Sequence, residues 1–208
     1  MKLPRLYAIV DRIPGTPFFE TIQFVEALLA GGVTLLQYRN KKGEAPEMLA
    51  EARELKRIAA RHVKQDVIQI IMNDRADLCM AAGLDGVHVG QDDMSPSAAR
   101  TLCKEPMIVG VSTHNLSQLE VANESPADYI AFGPVFSTTS KETPDPVVGI
   151  HGLREARGKT KKPLVAIGGI TLENCREVID AGADSVAIIS ALAGRPKHAA
   201  EEFLRRMT

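Results

Sequence analysis

The chain has no tryptophan, and aromatic residues make up only 4% of its 208 residues. Too little ring surface is available for a base-stacking platform or an aromatic sugar groove, so recognition must run through charges, hydroxyls, amides and glycines. Cysteine is scarce as well. Cys79, Cys103 and Cys175 are far apart and show no C-x-x-C spacing, which argues against a disulfide framework or a cysteine zinc site. They read as small buried hydrophobes rather than catalytic thiols. No apolar run approaches the length of a bilayer span. The start, MKLPRLYAIVDRIPG, offers a short apolar run before Asp11 and Arg12, unlike a secretory leader, so a cytoplasmic setting is expected. An excess of either charge is missing too: 25 Lys and Arg face 26 Asp and Glu. Without a basic stripe, nucleic acid is not an expected partner, and neither is a membrane.

What is present is alternation. Short runs rich in Val and Ile stand at 6–10, 34–38, 67–72, 86–89, 107–111, 129–132, 164–167 and 185–189. Most are continuously apolar, the signature of parallel strands buried on both faces. Between them lie amphipathic stretches at 20–30, 46–62, 74–82, 95–102, 115–123, 152–157, 171–181 and 196–207. Ser95 before Pro96, Asn115 and Thr171 read as helix starts, and glycines at the ends of AGG, AAG and DAG read as stops. Eight strand-then-helix units with no linker predict one α/β domain over residues 1–208, a (β/α)8 TIM barrel. A doubly wound open sheet is the alternative, but VDRIPG follows the first strand where that fold would carry G-x-G-x-x-G.

Ligand sites in such barrels lie at the C-terminal ends of the strands. Polar residues collect there: Asp11 after the first strand, then Gln37, Arg39 and Lys41, spaced to point one way from an extended chain. Asn73 and Asp74 follow the third strand, Gln91 to Asp93 the fourth, and Ser112 to His114 the fifth. Gly168-Gly169 follow the seventh and Ser190 the eighth. The opposite ends, such as KKP and KQD, read as plain solvated turns. Gln37 lies within an apolar run and so needs a partner. Arg39 and Lys41 would form a cationic wall suited to phosphate. Asp74 and Asp93, on neighbouring strand ends, can share a hard cation such as Mg²⁺. The glycine pair and Ser190 suit a second anion pocket. His88, inside a strand, reads as a satisfied core residue, and His62, His151 and His198 as surface residues.

After the sixth strand comes GPVFSTTSKETPDP, with five hydroxyl residues around Lys141. Its length and its place on the ligand side suit a flap that excludes water.

Taken in order, QYRNK at 37–41, Asn73-Asp74, GVHVGQDD at 86–93, GVSTH at 110–114, GPVF with Thr138 and Lys141, AIGGI and AIIS resemble the thiamine-phosphate synthase family over nearly the whole chain. The resemblance implies a barrel joining 4-amino-2-methyl-5-hydroxymethylpyrimidine diphosphate to a thiazole phosphate, or its carboxylated form. The products would be thiamine phosphate and diphosphate. It implies that Gln37, Tyr38, Arg39, Asn40, Lys41, Asn73, Ser112 and Lys141 contact the pyrimidine diphosphate. Arg39, Lys41, Lys141 and Ser112 would be the catalytic set, and Asp74 and Asp93 would hold Mg²⁺. Thr138, Thr139, Ser140, Gly169, Ile189 and Ser190 would hold the thiazole phosphate. Two positions depart from the family's P-T-x-T-K pattern: Ser137 replaces Pro, and Ser140 replaces Thr while keeping the hydroxyl. The neighbouring readings are a thiazole tautomerase-like paralogue, with proton transfer at His114, and a non-catalytic phosphate-binding barrel. The oligomeric state is left open, a homo-oligomer included.

Overall fold

All eight apolar runs become strands, each parallel to its neighbours, and the last pairs with the first. In this computed structural model, which describes residues 2–62, 67–138 and 145–208, the strands are β1 (Leu6–Asp11), β2 (Leu35–Arg39), β3 (Gln69–Asn73) and β4 (Gly86–Val89). They continue as β5 (Ile108–Thr113), β6 (Tyr129–Phe132), β7 (Leu164–Ile167) and β8 (Ser185–Ile188). The helices that alternate with them are α1 (Phe18–Ala30), α2 (Ala45–His62), α3 (Ala76–Ala82), α4 (Pro96–Leu102), α5 (Leu116–Glu124), α6 (Gly149–Lys159), α7 (Cys175–Asp180) and α8 (Pro196–Arg206). The closed barrel expected from the alternation is the fold found, and the open sheet is not.

Capping sets the helix ends. Ser95 Oγ accepts from Ala98 N and Asn115 Oδ1 from Gln118 N, as their residue types predict. Thr171 behaves differently. Its N–H donates to Asn174 Oδ1 and its hydroxyl accepts from Glu173 N, forming a turn that delays α7 to Cys175. Gly83 ends α3 in the left-handed region, where a Cβ would be strained.

Each strand divides its side chains between two layers. Leu36, Tyr38, Ile70, Met72, Val109, Val111, Ile130 and Phe132 face the helices. Tyr7, Ile9, Leu35, Ile71, Ile108, Tyr129 and Val165 fill the barrel, with Leu3 packed into the same inner cluster. Each fully buried Leu or Ile contributes about 1.5–3 kcal/mol. Against the helix side of β2 sits a buried ion pair. Arg12 Nη2 lies 2.9 Å from Glu51 Oε1, Tyr38 Oη donates to Glu51 Oε2, and Arg12 also donates to Thr21 Oγ1.

Three of the N-terminal strand ends are more than plain turns, while KQD at 64–66 lies outside the described residues. A device recurs before β4, β6 and β8. Asp85 Oδ2 accepts Ile70 N, Asp128 Oδ2 accepts Val109 N, and Asp184 Oδ2 accepts Leu164 N, at 2.8, 2.7 and 2.8 Å. Each Asp also pairs with a cation from the helix of the unit before: Lys56, Arg100 and Arg157. These carboxylates satisfy strand N–H groups that begin the preceding strand, and so anchor alternate units of the barrel.

Candidate active site

A cavity of about 490 Å³ opens at the C-terminal end of the barrel, and every strand or the loop after it contributes to its wall. Gln37, Arg39, Lys41, Asn73, Asp74, Asp93 and Ser112 line one side, and Thr138, Gly169, Ile189 and Ser190 also line it. These eleven residues, singled out in the sequence, are brought together. Two others are not. Tyr38 alternates away from Gln37 and Arg39, is buried, and gives its hydroxyl to Glu51 on α2. Asn40 does not line the cavity either. Its side chain accepts from Lys42 N and approaches Tyr38 Oη. The expectation that both contact the pyrimidine diphosphate counted a contiguous motif, whereas a strand presents only every second residue to one face. Thr139, Ser140 and Lys141 lie outside the described residues.

The charged wall is internally paired. Arg39 Nη1 donates to Asp11 Oδ1 at 2.5 Å, and Lys41 Nζ to Asp74 Oδ2 at 2.5 Å. Asp93 Oδ2 accepts Gly90 N at 2.8 Å, folding the loop after β4 back on itself. The Asp93 carboxylate lies near enough to Asp74 to act on its ionisation. Asp74 takes a left-handed φ of 61°, which Asp tolerates better than most residues, with its N–H held by His88 O. Burial pushes the Asp74 carboxyl above its ordinary value; the Lys41 ammonium opposes this and the Asp93 carboxylate adds to it. Two neighbouring carboxylates repel unless a proton or cation lies between them. Among the described residues no third Asp, Glu, His or Cys completes a metal cluster. This donor set fits Mg²⁺, which takes one or two carboxylates and fills its shell with phosphate oxygens and water.

On the opposite wall the glycines are there for close packing. A Cβ on Gly168 would lie 2.4 Å from Pro134 Cβ, and one on Gly169 2.4 Å from Ser137 O. Both have positive φ, 99° and 63°. The chain after β6 continues along β7 through Val135 N to Ile167 O and Phe136 N to Gly168 O. The Gly-Gly turn therefore fits under the start of the β6 loop. Asn174 Nδ2 donates to Gly169 O, and Ser190 begins a short 3-10 turn, Ser190–Leu192.

Two lining residues, Tyr7 and His88, were not among those expected from the sequence. Gln91, expected at the ligand face after the fourth strand, lines the cavity and donates to Ser112 O at 2.6 Å. The signal for Tyr7 was period two: Tyr7, Ile9 and Asp11 share one face of β1. It supplies the partner that Gln37 needed, since Gln37 Nε2 donates to Tyr7 Oη. His88 is buried and satisfied, as expected of a strand histidine, yet it touches the site through Ser112. His114 lines the cavity with Nδ1 held 2.8 Å from Gly133 O and 3.5 Å from Asp145 Oδ2. The three cysteines are buried and their thiols pushed up by burial, so none is an activated nucleophile.

Comparison with known proteins agrees with this architecture. A family model described as thiamine monophosphate synthase matches residues 6–192. The thiamine-phosphate synthase of Koribacter versatilis (strain Ellin345) is 57% identical over 99% of this chain and 96% of its own. That of Methanospirillum hungatei JF-1 is 40% identical, covering 94% and 92%. The solved structure of a thiamine phosphate pyrophosphorylase from Pyrococcus furiosus superposes with a TM-score of 0.85 at 33% identity, covering 98% of this chain and 95% of that one.

Proposed function

The chain belongs to the thiamine monophosphate synthase family, and from that premise we propose how its cavity carries the reaction. It is a transferase that makes thiamine phosphate and releases diphosphate. The substrates are the diphosphate ester of a hydroxymethyl aminopyrimidine and a thiazole phosphate. The observation that supports the site assignment is that two unlike sets of residues line one cavity. Arg39, Lys41, Asp74 and Asp93 would form one anion subsite; Gly169 and Ser190, with Thr138, would form the other.

The bond that breaks joins the pyrimidinylmethyl carbon to the diphosphate oxygen. The electron pair leaves with the diphosphate, and the 4-amino group feeds electrons into the ring to stabilise the cationic carbon. The thiazole nitrogen then supplies the pair for the new C–N bond. No covalent nucleophile and no strong base are needed, which suits a protein whose cysteines are buried and inert. The protein holds two reactants in line and stabilises the leaving charge. Arg39 and Lys41 face the diphosphate as the cationic wall, and Asn73 and Ser112 donate to the pyrimidine diphosphate. When bound, Mg²⁺ held by Asp74 and Asp93 neutralises charge on the departing diphosphate. Thr138, Gly169, Ile189 and Ser190 orient the thiazole phosphate. Lys141, Thr139 and Ser140 are assigned by family pattern to the same loop and complete the two anion subsites. Three buried free cysteines suit a reducing cytoplasm.

Incubation of the protein with Mg²⁺ and both heterocycles should yield thiamine phosphate and diphosphate in equal amounts. Chelation of the metal should abolish turnover, and Asp93→Ala should lower it by about 100-fold or more. No product from folded protein with authentic substrates overturns the reading.

A further inference from the structure

A chain of hydrogen bonds crosses the barrel interior beneath the cavity. Gln37 Nε2 donates to Tyr7 Oη at 2.8 Å, and the Tyr7 and Tyr129 hydroxyls are 2.9 Å apart. Tyr129 Oη lies 2.8 Å from His88 Nδ1, and His88 Nε2 lies 2.8 Å from Ser112 Oγ. Five strands thus meet through one polar thread in an otherwise apolar interior.

The thread has a direction, set by counting protons. An amide nitrogen only donates, so Tyr7 accepts from Gln37, and every hydroxyl proton of the buried thread finds an acceptor only when Tyr7 gives its own to Tyr129. Tyr129 in turn gives its proton to His88 Nδ1. A neutral imidazole carries one N–H, which must then sit on Nε2 and point at Ser112 Oγ. Ser112 accepts there, so its own proton is free to be donated elsewhere, and Ser112 lines the cavity. At first sight Ser112 and His88 look like a nucleophile and its base. The direction is opposite: Nε2 already holds a proton and cannot take another from Oγ without becoming charged.

Packing holds the thread in place. His88 stacks on Tyr129 with ring centres 5.5 Å apart, and Tyr7 meets Tyr129 edge-on at 6.0 Å. Gly110 makes room for the Tyr129 ring, because a Cβ there would lie 2.1 Å from Tyr129 Cζ. Burial keeps the thread neutral. It raises both tyrosines above their ordinary range, and His88 is buried with both ring nitrogens paired to hydroxyls.

We propose that His88 is a positioning residue: Gln37, Tyr7 and Tyr129 fix it as the Nε2–H tautomer, so that Ser112 presents its hydroxyl proton to an acceptor atom of the pyrimidine diphosphate. The proposal rests on the reading that this substrate occupies the Ser112 side of the cavity. It assigns work to three side chains, Tyr7, Tyr129 and His88, that make no direct claim on the reacting atoms. It also explains why a barrel interior carries four buried polar groups where apolar ones would pack as well: a fully satisfied thread fixes one orientation of the last hydroxyl.

Imidazole-¹⁵N labelling and NMR of the full chain read the tautomer directly. The spectrum of the His88→Gln variant identifies the His88 resonances among the five histidines. Near neutral pH the expected result is a protonated Nε2 and an unprotonated Nδ1. An Nδ1–H tautomer, which a reversed Gln37 amide would produce, overturns the proposal. In steady-state kinetics, His88→Leu and Tyr129→Phe should lower kcat by about 10- to 100-fold, with the KM for the thiazole phosphate within about twofold. His88→Gln, whose amide N–H can still donate to Ser112, should recover a large part of the loss. Wild-type kcat in His88→Leu, or no rescue by Gln, overturns the proposal as well. Thermal unfolding of each variant accompanies the kinetics. Should His88→Leu not fold, Tyr129→Phe, which loses one oxygen, and the tautomer decide between the two outcomes. If the wild-type chain forms no thiamine phosphate, the transferase reading falls and takes the positioning role with it. An Nδ1–H signal in an active enzyme sinks the positioning role alone.

Discussion

Carboxylates and cations crowd both ends of this barrel, but they are connected in different ways. At the N-terminal end, Asp85, Asp128 and Asp184 each accept a strand N–H and also meet Lys56, Arg100 or Arg157. Every such carboxylate is matched to donors within the chain. At the C-terminal end, Asp74 and Asp93 are set against each other, with Lys41 on Asp74 alone. Arg39 meets Asp11 and lines the cavity. The first arrangement lowers the energy of the fold as it stands. The second holds like charges together and becomes favourable only with a further proton or cation, which is how a site differs from a brace.

If that contrast is right, substitutions at the two ends should separate activity from stability. Arg39→Ala should cut kcat/KM by about 10³-fold, roughly 4 kcal/mol of transition-state binding, with little change in the unfolding midpoint. A large fall in stability with normal turnover per folded molecule would erase the contrast. Removing the buried Glu51 carboxylate, by Glu51→Ala, should cost about 3 kcal/mol of folding stability, because Arg12 is left buried without its partner. Turnover per folded molecule should stay near wild type, which denaturant melts and kinetics on the same sample decide. Asp128→Ala should cost about 1–3 kcal/mol by orphaning Val109 N at the foot of β5, again with kcat preserved. Tyr38→Phe is the mildest test. Losing the hydroxyl that donates to Glu51 should cost about 1 kcal/mol, and KM for the pyrimidine diphosphate should not move. A rise in that KM would return Tyr38 to the substrate wall and contradict the side-chain alternation of β2.

Gln37 and Tyr38 illustrate how far reading along the chain goes. Adjacent in a motif, they serve opposite sides of β2, one the neutral thread beneath the cavity and the other a closed cluster with Arg12 and Glu51. Period two alone was enough to separate them, whereas treating QYRNK as a unit placed both in the site. The His88–Ser112 contact was beyond such reading. The two residues lie on neighbouring strands, and only the parallel register, with His88 opposite Gly110, brings the ring beside Ser112. The same holds for the Asp braces. A short polar turn in sequence gives no hint that its carboxylate reaches across to the start of the preceding strand.

Local chemistry therefore decided a great deal by itself. Val- and Ile-rich runs spaced by amphipathic stretches dictate eight buried parallel strands, because nothing else satisfies both patterns at once. The polar residues at the strand ends point to a ligand face, because a barrel has only two faces and those residues gather at one. What only the closed barrel decided is which of these groups meet. Tyr7 and Tyr129, 122 positions apart, are hydrogen-bonded, and Asp74 comes near Asp93 across the ends of β3 and β4. Hydrogen bonds between side chains act over about 3 Å, so their partners are set by how the strands close on one another, a property of the whole sheet and of no single segment.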